Sequence, residues 1–95
     1  MRQYEVMYIL KPDLEDEEST QLIEKFGKII TDRNGEITEL NRWGKRRLAY
    51  EVKDYREGHY VVMKCRAEHA AAQELDRVFR ITDGLLRHMI IREDQ

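Results

Sequence analysis

A single cysteine, Cys65, and a single proline, Pro12, stand in a chain of 95 residues. One cysteine admits no intrachain disulfide, and the reducing cytosol is its natural compartment. Serine is as scarce: Ser19 is the only one, set among helical acids, so no nucleophile elbow can be written. There is no glycine-rich phosphate loop and no GxGxxG. The histidines, His59, His69 and His88, are scattered, and none stands at a metal-ligand spacing from Cys65. No run approaches the length of a membrane span. The opening MRQYEVMYIL has neither the apolar stretch nor the cleavage site of a secretory signal. A strong excess of one charge is also missing. Basic side chains number 17 and acidic ones 19, for a formal net charge of −2. The simplest nucleic-acid binder would be strongly basic, so the distribution of charge matters more than its sum. The expectation is a cytoplasmic protein without enzymatic chemistry, metal or cofactor.

Hydrophobic residues make up 41% and charged residues 38%, which suits one folded domain with a charged surface rather than a disordered chain. Tyr4, Val6, Tyr8 and Leu10 alternate and predict a strand over 2–10. Lys11-Pro12-Asp13 ends it, with Asp13 placed to cap a helix. Leu22, Ile23, Phe26, Ile29 and Ile30 form an apolar stripe in a helix over 14–33. Its start is crowded with Asp13, Glu15, Asp16, Glu17 and Glu18, where carboxylates favour the helix dipole. That helical spacing does not match a calcium loop. Asn34-Gly35 closes the helix. A long strand follows over 36–52, with a bulge at Gly44. A charged turn spans 54–58, a third strand 59–67, a helix 68–82 and a last strand 85–92. The order is β-α-β-β-α-β, an α+β, ferredoxin-like domain covering 1–95: a four-stranded antiparallel sheet with two helices on one face. Val6, Tyr8, Phe26, Ile30, Ile37, Val61, Leu75 and Phe79 are expected between sheet and helices. The fold hosts many functions and selects none.

Arg42-Trp43-Gly44-Lys45-Arg46-Arg47 is the informative segment, with four cations around the only tryptophan. Such cations neutralise phosphates, and arginine forks onto phosphate oxygens. They also guard an edge strand against aggregation, and composition fits both readings. Further arginines stand at Arg2, Arg80, Arg87 and Arg92. Trp43, Leu48 and Tyr50 are large apolar or amphipathic groups in the same cationic stretch. They read as partner-binding anchors, because interface cores favour Trp and Tyr beside Arg. The other reading makes Trp43 and Leu48 a cap on the sheet's own core.

MRQYEVMYILKPDL at the start, WGKRRLAYEV at 43–52 and FRITDGLLRHMIIR at 79–92 resemble the bacterial small-subunit ribosomal protein six family, at consistent distances from Met1 to Arg92. The resemblance implies a ferredoxin-like fold and no enzymatic activity. It implies a structural constituent of the small ribosomal subunit that supports translation and binds the central domain (platform) of the ribosomal RNA. It further implies a heterodimer with small-subunit ribosomal protein eighteen. Carried over, the matching positions are Arg2, Tyr4, Trp43, Arg46, Arg47, Leu48, Ala49, Tyr50, Arg80, Asp83, Arg87 and Met89. With Arg92 added from the arginine pattern, Arg2, Tyr4, Arg46, Arg47, Arg80, Arg87 and Arg92 are expected at RNA. Trp43, Leu48, Ala49, Tyr50 and Met89 are expected at the partner. Glu51 departs from the family, where many members have proline, and the long acidic tail of some members is not in this sequence. A basic partner would supply phosphate neutralisation that a chain of net charge −2 lacks. Two rivals share the topology. An RNA recognition motif needs stacking aromatics on strands one and three, and Gly58 and Tyr60 give only a partial echo. A small-molecule regulatory domain would carry a glycine-rich turn where this chain has Lys11-Pro12-Asp13. A pure protein-interaction module differs from the favoured reading only in making no RNA contact.

Overall fold

The computed structural model describes residues 1–93. Its elements run β1 (Arg2–Leu10), α1 (Asp16–Thr31), β2 (Glu36–Val52), β3 (Tyr55–Ala67), α2 (His69–Arg80) and β4 (Leu85–Arg92). One four-stranded sheet has the order β2-β3-β1-β4, and every neighbouring pair is antiparallel. The β-α-β-β-α-β, ferredoxin-like arrangement read from the sequence is the one formed.

Alternation on β1 sets the layers. Tyr4, Val6, Tyr8 and Leu10 all point to one face and are buried with Phe26, Ile30, Leu75 and Phe79 of the helices. Phe26 and Phe79 meet edge-on with ring centroids 4.7 Å apart, and Tyr8 meets Phe26 edge-on at 5.1 Å. Ile37 was expected in this core, but it is only half-buried and packs against the cluster from the side. The cause is position: β2 is an edge strand, and the helices do not fully cover it.

Local expectations shift at two places, the start of α1 and the β2–β3 turn. Helix α1 starts at Asp16, and Glu15 rather than Asp13 stands before it; the Glu18 carboxylate accepts the Glu15 backbone N–H at 3.2 Å. Asp13 is drawn elsewhere, accepting the Tyr55 hydroxyl at 2.9 Å. At the other end Asn34, with φ 64°, makes the left-handed turn, and Gly35 is needed for space: a Cβ there would sit 2.9 Å from the Arg66 carbonyl oxygen. The turn expected over 54–58 is instead the two-residue Lys53-Asp54, with φ of 51° and 69°. Positive φ at both central positions is the hairpin turn that matches strand twist, so β3 starts at Tyr55 and the hairpin is longer than expected. Gly44 sits at a register shift of β2 with φ 82°, as the expected bulge requires.

Candidate functional site

The helices leave the opposite face of the sheet open. By alternation β1 presents Gln3, Glu5, Met7 and Ile9 there, and β3 presents Gly58, Tyr60, Val62 and Lys64. The register carries Met7 beside Met89 and Glu5 beside Ile91 on β4. The result is an apolar strip, Met7, Val62, Met89 and Ile91, with Met89 46% and Ile91 45% exposed.

The far arm of the β2–β3 hairpin curls over one end of this strip. Leu48 packs against Ile9 of β1 and Leu86 of β4, two strands that β2 does not neighbour. Gly58 permits the close approach, since a Cβ on it would lie 2.2 Å from Ile9 Cγ2. Farther out, Arg87 of β4 donates to the Tyr50 hydroxyl, with its guanidinium 5.7 Å from the ring centroid. Before the arm, Trp43 stacks on Tyr60, centroids 6.1 Å apart and planes at 10°. The Arg46 guanidinium lies 5.9 Å from the Trp43 ring, and its Nε donates to the Trp43 carbonyl at 3.5 Å. Trp43 is 47% and Tyr50 61% exposed, so both rings still offer a surface.

The expected site residues therefore part company. Trp43, Tyr50 and Met89, with Arg46 and Arg87, come together on or beside the open face. Leu48, at 9% exposure, packs in the chain's own small core, which is the alternative stated for it above. Trp43 does not share that role. Ala49 is exposed on the arm, and Arg47 is exposed where β2 pairs with Glu57. Tyr4 lies in the main core at 5% exposure and also lines the groove between α2 and β4. Arg92 pairs with Tyr4 in register, and Arg2 begins the same strand, so both stand at the opposite end of the sheet from Arg87. Arg80 closes α2 and is held by Asp76 at 2.8 Å. Burial pushes the Asp76 carboxyl up, but the bonds from Arg80 and His88 more than offset it and hold it below the ordinary range.

Sequence reasoning missed Tyr60, Met7 and Ile91 as surface groups. The signal was present for Tyr60, because Val61, Met63 and Cys65 alternate with it and fill the core. Arg42, counted among the surface cations, faces the helices and donates to the Thr20 hydroxyl at 3.2 Å. Cys65 is a buried core residue whose thiol is pushed up to about 11 by that burial, so it is no nucleophile. The stacking platform of an RNA recognition motif is incomplete, since β1 places no aromatic on the open face.

A family model described as ribosomal protein S6 matches residues 3–92. The small ribosomal subunit protein bS6 of Desulforudis audaxviator (strain MP104C) is 97% identical over 94 residues, covering 99% of this chain and 100% of that protein. The protein of the same description from Desulforamulus reducens is 55% identical over 95 residues, covering 100% of each. Among solved structures, the crystal structure of 30S ribosomal protein S6 from Thermotoga maritima superimposes with a TM-score of 0.92 at 38% identity, covering 97% of this chain and 87% of that one.

Proposed function

The chain belongs to the ribosomal protein S6 family, and we propose that it binds the central domain of small-subunit ribosomal RNA as one half of a heterodimer with small-subunit ribosomal protein eighteen. It is a structural constituent of the small ribosomal subunit, without enzymatic activity, and its place is the ribosome in the cytoplasm.

The observation that carries the proposal is the exposed Trp43–Tyr60 stack flanked by Arg46, beside the Arg87–Tyr50 pair. Large aromatic rings left half in water next to arginines suit the desolvated centre of a protein interface. The surrounding arginines suit phosphate oxygens. A net charge of −2 limits what this chain gains from RNA alone. Joined to a basic partner, it presents a composite surface, and each component raises the other's affinity by the same factor.

Titration of a central-domain RNA fragment with the full chain, with and without the partner protein, tests this. Weak, salt-sensitive binding by the chain alone and binding at least about tenfold tighter by the pair are expected. Equal affinity in the two titrations overturns cooperative assembly.

A further inference from the structure

We infer that the helix-side face of β2 carries a site for a backbone phosphate of RNA, formed by Arg42, Lys45 and the Thr20 hydroxyl of α1, across the strand from the partner surface. It rests on the RNA-binding reading above for its ligand, and it uses none of the arginines that carry that reading. The bulge at Gly44 makes the site. Arg42 stands opposite Val61, Gly44 opposite Tyr60 and Lys45 opposite His59, so β2 spends an extra residue, Trp43, between the first two pairs. Strict alternation would send Arg42 and Lys45, three positions apart, to opposite faces. With the extra residue both point the way Val61 and His59 do, toward the helices. Trp43 meets Tyr60 on the open face, and Arg46, opposite Gly58, goes with it. The cationic segment is thereby divided between the two sides of one strand.

The helix-side pair lacks a counter-ion. Arg42 donates to the Thr20 hydroxyl at 3.2 Å, and neither it nor Lys45 enters an ion pair among the described residues. A guanidinium has five N–H donors, so one bond to a neutral hydroxyl leaves most of them for a ligand, and Thr20 keeps its own O–H to donate. Arg42, Lys45 and Thr20 are all exposed, so a ligand reaches them. His59 of β3 senses the unbalanced charge. Its Nε2 is buried without a hydrogen-bond partner, and both cations oppose its protonation. From α1, Asp16, one turn before Thr20, pulls the other way. From β1, Tyr8 also feels Arg42, but burial pushes its phenol up and keeps it protonated. One carboxylate against two cations leaves positive charge, which an oxyanion neutralises. A guanidinium, an ammonium and a hydroxyl donate from different directions, and the spread oxygens of a phosphate meet all three better than the two coplanar oxygens of a carboxylate do. For a ribosomal protein the phosphate at hand is that of RNA.

The test titrates a central-domain RNA fragment with the full chain, alone and paired with its partner, over a range of salt. Arg42→Gln combined with Lys45→Gln should weaken RNA binding about tenfold and lower the log–log salt slope by about 1, the loss of one phosphate contact. Partner affinity measured without RNA should be unchanged. Arg42→Lys should keep most of the slope. Lys25→Gln combined with Lys28→Gln removes the same charge from α1 and should change the slope far less. In nuclear magnetic resonance of the full chain, a uridine decamer, which offers the RNA backbone without the central-domain structure, should shift the Thr20 and Lys45 amides and raise the His59 pKa, because a bound anion favours the imidazolium. An unchanged salt slope overturns the proposal, as do an equal effect of the Lys25 and Lys28 changes, a matching loss of partner affinity, a His59 pKa that stays put, or no RNA binding at all. An octaglutamate peptide that moves the same signals as strongly would make this a site for protein carboxylates and replaces the proposal. Cooperative assembly is judged from whether the pair outbinds the chain alone, and the salt slopes are compared within each series, so the two readings fail separately.

Discussion

Phe26 and Phe79 come from different helices and meet over Tyr8 of the sheet, so three elements depend on one aromatic contact. Both phenylalanines are almost wholly buried. Phe26→Ala or Phe79→Ala should cost roughly 3–5 kcal/mol, read from the denaturant midpoint at unchanged slope. A loss under about 1 kcal/mol at both would contradict this packing. Trp43 and Leu48 make the opposite pair. They are five positions apart on one strand, yet one is half-exposed and the other buried. Leu48→Ala should destabilise the isolated protein by about 2 kcal/mol, the low end for a small core. Trp43→Ala should cost no more than about 1 kcal/mol of stability, the loss of its stack on Tyr60, and should weaken partner binding more than tenfold. An unstable Trp43→Ala protein that binds its partner normally would instead assign the ring to folding. Nothing in the segment WGKRRLAYEV separates these two residues. Their difference follows from where the hairpin arm lands.

The β2–β3 hairpin is the element whose shape the sequence showed least. Its alternation is broken by cations, and its turn, Lys53-Asp54, carries no glycine or asparagine to mark it. Both residues nevertheless adopt positive φ, 51° and 69°. The turn is stabilised from outside, with the Lys53 ammonium donating to the Leu85 carbonyl at 3.2 Å. Asp54→Gly should relieve left-handed strain without touching that bond. An increase of about 1 kcal/mol in unfolding free energy is expected, seen as a few degrees in Tm. A decrease would show that the Asp54 side chain itself holds the turn. The helices were easier to read, since their apolar stripes and flanking Pro12, Asn34 and Gly35 are local signals. Their ends moved by two residues or so, because Glu15 with Glu18 competed successfully with Asp13 for the start of α1.

Across the whole molecule, charge is divided rather than absent. Acids crowd the start of α1, while arginines take the hairpin, the end of α2 and both ends of β4. Folding also brings like charges together beneath α1. His59 is half-buried; burial and then Arg42 pull its pKa below the ordinary value, Asp16 opposes them, and Lys45 adds the smallest lowering. With a folded pKa below the unfolded one, the unfolded chain takes up a proton first as pH falls. The stability contribution is thus full above the unfolded value of about 6.5 and is lost as pH drops through it toward the folded pKa. His59→Gln should flatten the stability profile as pH falls below about 6.5. An unchanged slope would place the titration elsewhere.

Local periodicity determined the six elements and their order and most of the main core, and the resemblance of three motifs indicated the family, because each rests on residues close in the chain or repeating at a fixed spacing. It also placed Gly44 at a bulge, since an isolated glycine in a strand has few other uses. It did not determine which tyrosines face water. Tyr4 and Tyr60 are alike as letters, and only the pairing of β1 with β3 sends one under the helices and the other onto the open face. Nor did it show the arm of the hairpin crossing to β1 and β4, a contact between residues some 40 positions apart such as Leu48 and Ile9. Sequence reading sees what neighbouring residues prefer. Which of two exposed-looking surfaces is closed is decided by long-range packing, because burial belongs to pairs of elements and not to either one alone.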